Sequence, residues 1–236
     1  VLIAGVPMGI TFNMAYSESL FGALSIWALV AIMDRRWLLA GLLVFVTGLT
    51  RITAVDVMLV LFLAVLTTDR KNWRGWLATL LSPLGLLWYL WWSSGYLTHI
   101  GGYFGMQREG WNSAFDWGIA TWKFATFTMF ASRELGYFLS VAVMIAFVFI
   151  VAGSFRKLPW QIWVFSAAVA ANILLSDGIM HSRPRLLIPA YLLLLPLVFF
   201  FARRLSTPAQ ITIAVSWLLW GAWFGAYMLG VFPWAI

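Results

Sequence analysis

Residues 37–66 read WLLAGLLVFVTGLTRITAVDVMLVLFLAVL, a stretch apolar at both ends and polar in the middle. Basic clusters flank it, Arg35 and Arg36 before and Arg70, Lys71 and Arg74 after. Both ends therefore belong on one side of a membrane, and the segment must cross an even number of times. Two helices, at 37–50 and 52–66, would each reach about 20 Å against a hydrocarbon core of about 30 Å. Their shared turn, Arg51-Ile52-Thr53-Ala54-Val55-Asp56, is then expected below the outer surface, where irregular backbone survives only inside protein or beside water. The segment predicts a short helical hairpin and an outward-facing cavity. The other reading, one long tilted helix with a buried Arg51–Asp56 pair, would invert every later loop and break the charge alternation described next.

Outward from that stretch the chain is of one kind. With 63% hydrophobic and 10% charged residues and a mean hydropathy of +0.92, it carries more apolar surface than one water-soluble core can hide. Apolar runs at 15–33, 37–50, 52–66, 75–94, 135–153, 160–176, 185–202 and 209–232 predict an all-α polytopic membrane protein of about eight spanning or partly spanning helices. The expected organisation is a single integral membrane domain over 1–236. Turns holding Arg35/Arg36, Arg70/Lys71/Arg74, Arg156/Lys157 and Arg203/Arg204 alternate with the other connections, which makes them cytoplasmic. The whole formal charge of +7 then lies on that side, which reflects topology and anionic lipid headgroups and points away from nucleic acid. Cysteine is absent, so disulfides and thiolate metal sites are excluded. The start at Val1, without Met, predicts a chain that begins part-way along a longer protein, with residues 1–12 as the tail of a helix. The one long connection, 95–134, combines charge with Trp111, Phe115, Trp117, Trp122, Phe124, Phe127 and Phe130, and is expected to be an outer loop with a helix lying in the interface.

Six of the eight carboxylates (Glu18, Asp56, Glu109, Asp116, Glu134 and Asp177) and both histidines fall on the outer side, so chemistry is expected there. Glu18 stands at the mouth of an apolar helix, in Asn13-Met14-Ala15-Tyr16-Ser17-Glu18-Ser19-Leu20-Phe21, where an ionisable group is costly unless it faces protein or water. The loop Asp177-Gly178-Ile179-Met180-His181-Ser182-Arg183-Pro184-Arg185 gathers an acid, an imidazole and two guanidiniums. Arginine forks bind phosphate oxygens in pairs, so Arg183 and Arg185 suit a lipid-linked phosphate; the alternative is pairing with Asp177 or with headgroups. Pro184 is expected to open a helix whose N-terminus faces the same anion. Asp177 and His181, four apart, could share a helical face, but two ligands do not define a metal site. No serine or cysteine hydrolase constellation is visible.

Phe12-Asn13-Met14-Ala15-Tyr16-Ser17-Glu18-Ser19-Leu20-Phe21, the segment Gly41 to Arg51 ending Leu49-Thr50-Arg51, and His181-Ser182-Arg183-Pro184-Arg185-Leu186-Leu187-Ile188-Pro189-Ala190 resemble the PIG-V family, the GPI mannosyltransferase 2-like membrane glycosyltransferases of the GT-C class. The resemblance implies a GT-C-like helical bundle, and the arginine-rich, lysine-poor usage, 12 against 3, points to a bacterial plasma membrane. It also implies transfer of mannose, or a related hexose, from a polyprenyl-phosphate sugar to a glycolipid or glycan acceptor on the extracytoplasmic face. Tyr16, Glu18, Arg51, His181, Arg183 and Arg185 become substrate-binding candidates, with a divalent cation as a possible cofactor and no protein metal site assigned. The family's catalytic aspartate lies in a first outer loop that this chain does not contain, and Asp56 does not match it. The base is therefore expected upstream, with Glu18 the best candidate within the chain. Arg185 and Arg183 are expected on the donor phosphate, Glu18 on the sugar or a metal ion, and Arg51 holding Asp56 or Glu18. A transporter or flippase of a lipid-linked substrate is the competing class, since broken helices around polar residues also build transport sites.

Overall fold

A computed structural model of the chain describes residues 1–234. Those residues are all helical, with no strand among them beyond an isolated bridge between Phe115 and Ser176. The α-helices are α1 (Glu18–Met33), α2 (Trp37–Gly48), α3 (Val55–Thr68), α4 (Trp73–Leu81), α5 (Pro83–Tyr96), α6 (Gly102–Trp111), α7 (Ile119–Phe130), α8 (Leu135–Ser154), α9 (Trp160–Leu174), α10 (Arg183–Leu186), α11 (Leu195–Arg204) and α12 (Thr207–Gly230). Two of them, α8 and α12, are long and apolar enough to cross a membrane, and Met180–Leu186 with Ile188–Arg204 forms a third candidate, bent by 60° at its break. Helices of this length and composition point to a membrane protein.

The chain forms two compact units. Unit 2, Ser19–Ala114, holds α1 to α6 apart from Glu18. The hairpin expected at 37–66 is present: α2 and α3 are separate helices of about 18 and 21 Å, joined through Leu49–Arg51 and a 3-10 turn, Ile52–Ala54. These residues are not one long helix. The single run expected at 75–94 is instead two helices, because Pro83 has no N–H to give and α4 ends at Leu81. Packing in this unit rests on small residues. A methyl group on Gly85 would stand 2.1 Å from the Phe45 carbonyl oxygen, and one on Gly41 would stand 2.7 Å from Ala78 Cβ, so α2 meets α5 and α4 nearly backbone to backbone. Val44, Val57, Val60 and Leu61 fill the core.

Unit 1, Val1–Glu18 with Phe115–Ile236, holds α7 to α12. Residues 1–12 are not helical in the way expected: they form 3-10 turns, Ile3–Gly5 and the start of Gly9–Asn13, separated by Met8 at φ 65. They pack on α12, where the Trp217 indole donates to the Leu2 carbonyl at 2.8 Å. Phe147, Phe165, Leu187, Tyr191 and Phe224 form the core, while Phe149 and Leu219 face outward, as lipid-facing positions do. The stretch 95–134 contains two helices, α6 and α7, not one. Of its aromatic rings, Trp117, Trp122 and Phe130 are strongly exposed.

Candidate functional site

α1 begins at Glu18, later than the apolar pattern predicted, because Met14 is extended and Tyr16 N–H turns back to the Met14 carbonyl at 2.8 Å. This local turn puts Tyr16 and Glu18 on the same short stretch of unit 1. The far side comes from 167 residues downstream: Arg185 Nε lies 3.1 Å from Glu18 Oε1, with both side chains nearly buried. Its guanidinium carbon sits 4.4 Å from the centroid of the Tyr16 ring. A carboxylate on one edge and an aromatic face against the plane fix the guanidinium's orientation. Glu18 and Arg185 are thus direct partners.

Arg183 is only 3% exposed. One of its terminal nitrogens donates to the Ser176 carbonyl, while Nε and Nη1 have no hydrogen-bond partner among the described residues. Asp177 and Asp116 are the negative charges that act on it. Asp116 is itself engaged: its carboxylate accepts from Gly118 N–H at 2.9 Å and Ala120 N–H at 2.6 Å, capping the start of α7. The same corner is tied to the end of α9, with the N–H groups of Asp116 and Gly118 donating to the Leu175 carbonyl and Thr121 Oγ1 donating to the Leu174 carbonyl at 2.7 Å. Arg183 therefore stands inside a cross-linked corner, in the position of a residue that shapes the loop carrying Arg185.

His181 lies against the rings of Tyr137 and Phe232, at centroid distances of 5.8 and 5.2 Å, and its carbonyl accepts from Ser140 Oγ at 3.0 Å. Two expectations for this loop are corrected. Asp177 and His181 do not share a helical face, because Gly178 at φ 140 and extended Ile179 separate them. Pro184 does open a helix, but α10 has four residues and passes into the 3-10 stretch Ile188–Leu194, too short to bring an N-terminal dipole to an anion.

Arg51 and Asp56 belong to unit 2. Asp56 is buried in the first turn of α3. Burial pushes the Tyr103 phenol above its ordinary value, and the Arg51 guanidinium pulls against that shift. Tyr103 and, in unit 1, Tyr137, Ser140 and the Ser176 carbonyl escaped the sequence reading. Only the Asp116-Trp117-Gly118 pattern, an acid before a glycine and a helix, carried a usable signal. Among the described residues, a cavity of about 240 Å³ lies beside Arg35, Arg36 and Arg74 and another of about 400 Å³ beside Leu193, Pro196 and Phe200. Neither has Tyr16, Glu18, His181, Arg183 or Arg185 in its wall. No group of three or more metal-ligating side chains occurs among the described residues. The chain matches no protein-family model, and no curated protein or solved structure is significantly similar to it.

Proposed function

We propose that this chain is part of the machinery of a GT-C type glycosyltransferase, moving mannose or a related hexose from a polyprenyl-phosphate sugar to a lipid or glycan acceptor outside the cytoplasm. The observation that carries the reading is the Tyr16–Glu18–Arg185 cluster: a buried, oriented guanidinium formed by two of the segments that bear the PIG-V resemblance. In the proposed reaction an acceptor hydroxyl oxygen attacks the anomeric carbon, the bond from that carbon to the phosphate oxygen breaks, and a carboxylate takes the hydroxyl proton. The departing lipid phosphate gains negative charge, which Arg185 is placed to stabilise. Glu18 is held against the guanidinium, so it acts by positioning Arg185. The base is then a carboxylate other than Glu18. A divalent cation on the donor phosphate is compatible with this chemistry. On this reading the short apolar helices α1, α2, α3 and α9, the α4–α5 run broken at Pro83, α8, α12 and the bent span make a bundle of about eight crossing or partly crossing segments.

One observation favours a transporter or flippase instead: the span interrupted and bent by 60° at Leu187. Reconstituting the intact protein and following hexose transfer from a polyprenyl-phosphate hexose, beside movement of the same lipid across vesicles, separates the two. Arg185→Lys keeps the charge and loses the fork, and transfer should fall by about 30- to 1000-fold, the effect of about 2–4 kcal/mol of lost transition-state stabilisation. Glu18→Gln leaves a buried guanidinium uncompensated, at about 3–5 kcal/mol. Exchanging the two, Glu18→Arg with Arg185→Glu, should recover abundance but not transfer. Wild-type transfer by the exchanged protein would reduce the pair to a structural role, and lipid movement without transfer would select the transporter.

A further inference from the structure

Unit 2 has a second polar feature, distant in sequence from the residues above. α1 ends in a tight reverse turn, in which Arg36 N–H donates to the Ala31 carbonyl at 2.8 Å and Arg35 N–H to the Ile32 carbonyl at 3.0 Å. The residue at the left-handed position of such a turn is usually glycine, since a Cβ there is strained. Here it is Arg35, at φ 57. The strained backbone brings its side chain into the wall of the cavity of about 240 Å³, together with Arg36, Arg74 and the Asn72 amide.

The carboxylates nearby are already engaged. Asp69 accepts from the Trp37 indole at 2.7 Å and from Asn72 Nδ2 at 2.8 Å, and Asp34 lies 3.7 Å from Arg36. Over 34–36 and 69–74, five cations stand against those two acids. Leu38 and Leu39 also line the cavity, are about half exposed, and continue along α2 into the exposed Leu42. A basic cavity that opens onto an exposed apolar helix face matches a phosphate carrying an acyl chain. A general excess of cations in membrane-flanking turns accounts for their sign, and an arginine at a left-handed position recurs at Arg156, at φ 59, but neither accounts for three arginines in one cavity wall.

We propose that this cavity seats the phosphate of an anionic phospholipid, with its chain along the leucine face of α2. The proposal rests on the chain lying in a bilayer, which membrane fractionation checks separately. Protein delipidated in detergent is titrated with phosphatidylglycerol, phosphatidylcholine or inorganic phosphate, and bound species are counted by native mass spectrometry. Each cation near an anionic surface contributes about five-fold in affinity, so Arg35→Gln/Arg36→Gln/Arg74→Gln should weaken phosphatidylglycerol by about 100-fold and leave phosphatidylcholine unchanged. Arg156→Gln/Arg203→Gln/Arg204→Gln, the same charge loss at turns that line neither cavity, should leave phosphatidylglycerol unaffected. Arg35→Gly removes a guanidinium while relieving the backbone, so it folds and should lose about five-fold; it decides the matter if the triple variant does not fold. Equal binding of the two lipids, full retention by Arg35→Gly, or equal losses in the two triple variants overturns the proposal. Inorganic phosphate displacing phosphatidylglycerol at low millimolar concentration also overturns it, in favour of a free phosphate site.

Discussion

The two units lean on different physics, although close glycine contacts occur in both, as where Gly221 meets the Gly5 backbone in unit 1. Unit 2 brings α2 onto α4 and α5 through glycine and alanine contacts that place backbone on backbone. Unit 1 ties its corner at Asp116–Thr121 to the end of α9 with side-chain hydroxyls, carboxylates and a guanidinium reaching carbonyls and amides. Without a hydrophobic gain between helices in lipid, close van der Waals contact gives rigidity with no polar group to desolvate. A polar corner costs more to bury, yet it alone can hold ionised groups in a fixed arrangement. The candidate chemistry accordingly sits in the unit built with polar cross-links.

The sharpest way to break this contrast is Gly85→Leu. With no room for a Cβ against the Phe45 carbonyl, α5 must move off α2, and unit 2 should lose about 3 kcal/mol or more. Hydrogen exchange should then show faster opening of α2 and α5, and unchanged rates there would mean the contact is not what fastens them. In unit 1, Thr121→Val removes a single bond to the Leu174 carbonyl and should cost about 1 kcal/mol, read as a lowered unfolding midpoint. A loss as large as that of Gly85→Leu would erase the proposed difference between the units.

Gly22 sharpens the comparison from the other direction. It lies within α1 with nothing near an added methyl, so Gly22→Ala should stabilise by about 0.5–1 kcal/mol, the opposite sign from Gly85 in the same unit. The smallest effect is expected at Asp69, whose carboxyl the Asn72 and Trp37 hydrogen bonds hold below its ordinary value. A depressed folded value contributes stability that is full above about pH 4 and is lost as pH falls through the folded value. The unfolding midpoints of wild type and Asp69→Asn should therefore differ at neutral pH and converge in acid. A gap that persists below about pH 2 would trace the effect to shape and not to charge.

Much of the fold was legible because lipid leaves few options: apolar runs become helices, and the charged flanks of 37–66 announced a hairpin too short to be two full spans. The break at Pro83 was missed, because the apolar residues on both sides of it read as one run. At the site, residue types spoke and partnerships did not. Glu18 and Arg185 stood out individually as charges beside apolar helices, but nothing in their local spacing encodes an ion pair closed across 167 residues. The role of Ser176 was invisible in principle, since the group that receives Arg183 is a backbone carbonyl, which every residue has.

The 3-10 stretch Ile188–Leu194 changes how residues translate into distance. At about 2.0 Å per residue, its seven residues cover about 14 Å, where an α-helix would need about nine to do the same. A ruler calibrated at 1.5 Å per residue undercounts this segment by about 3.5 Å, about two-thirds of a helical turn. Residue for residue, Ile188–Leu194 therefore advances further along its own axis than α8 or α12 does.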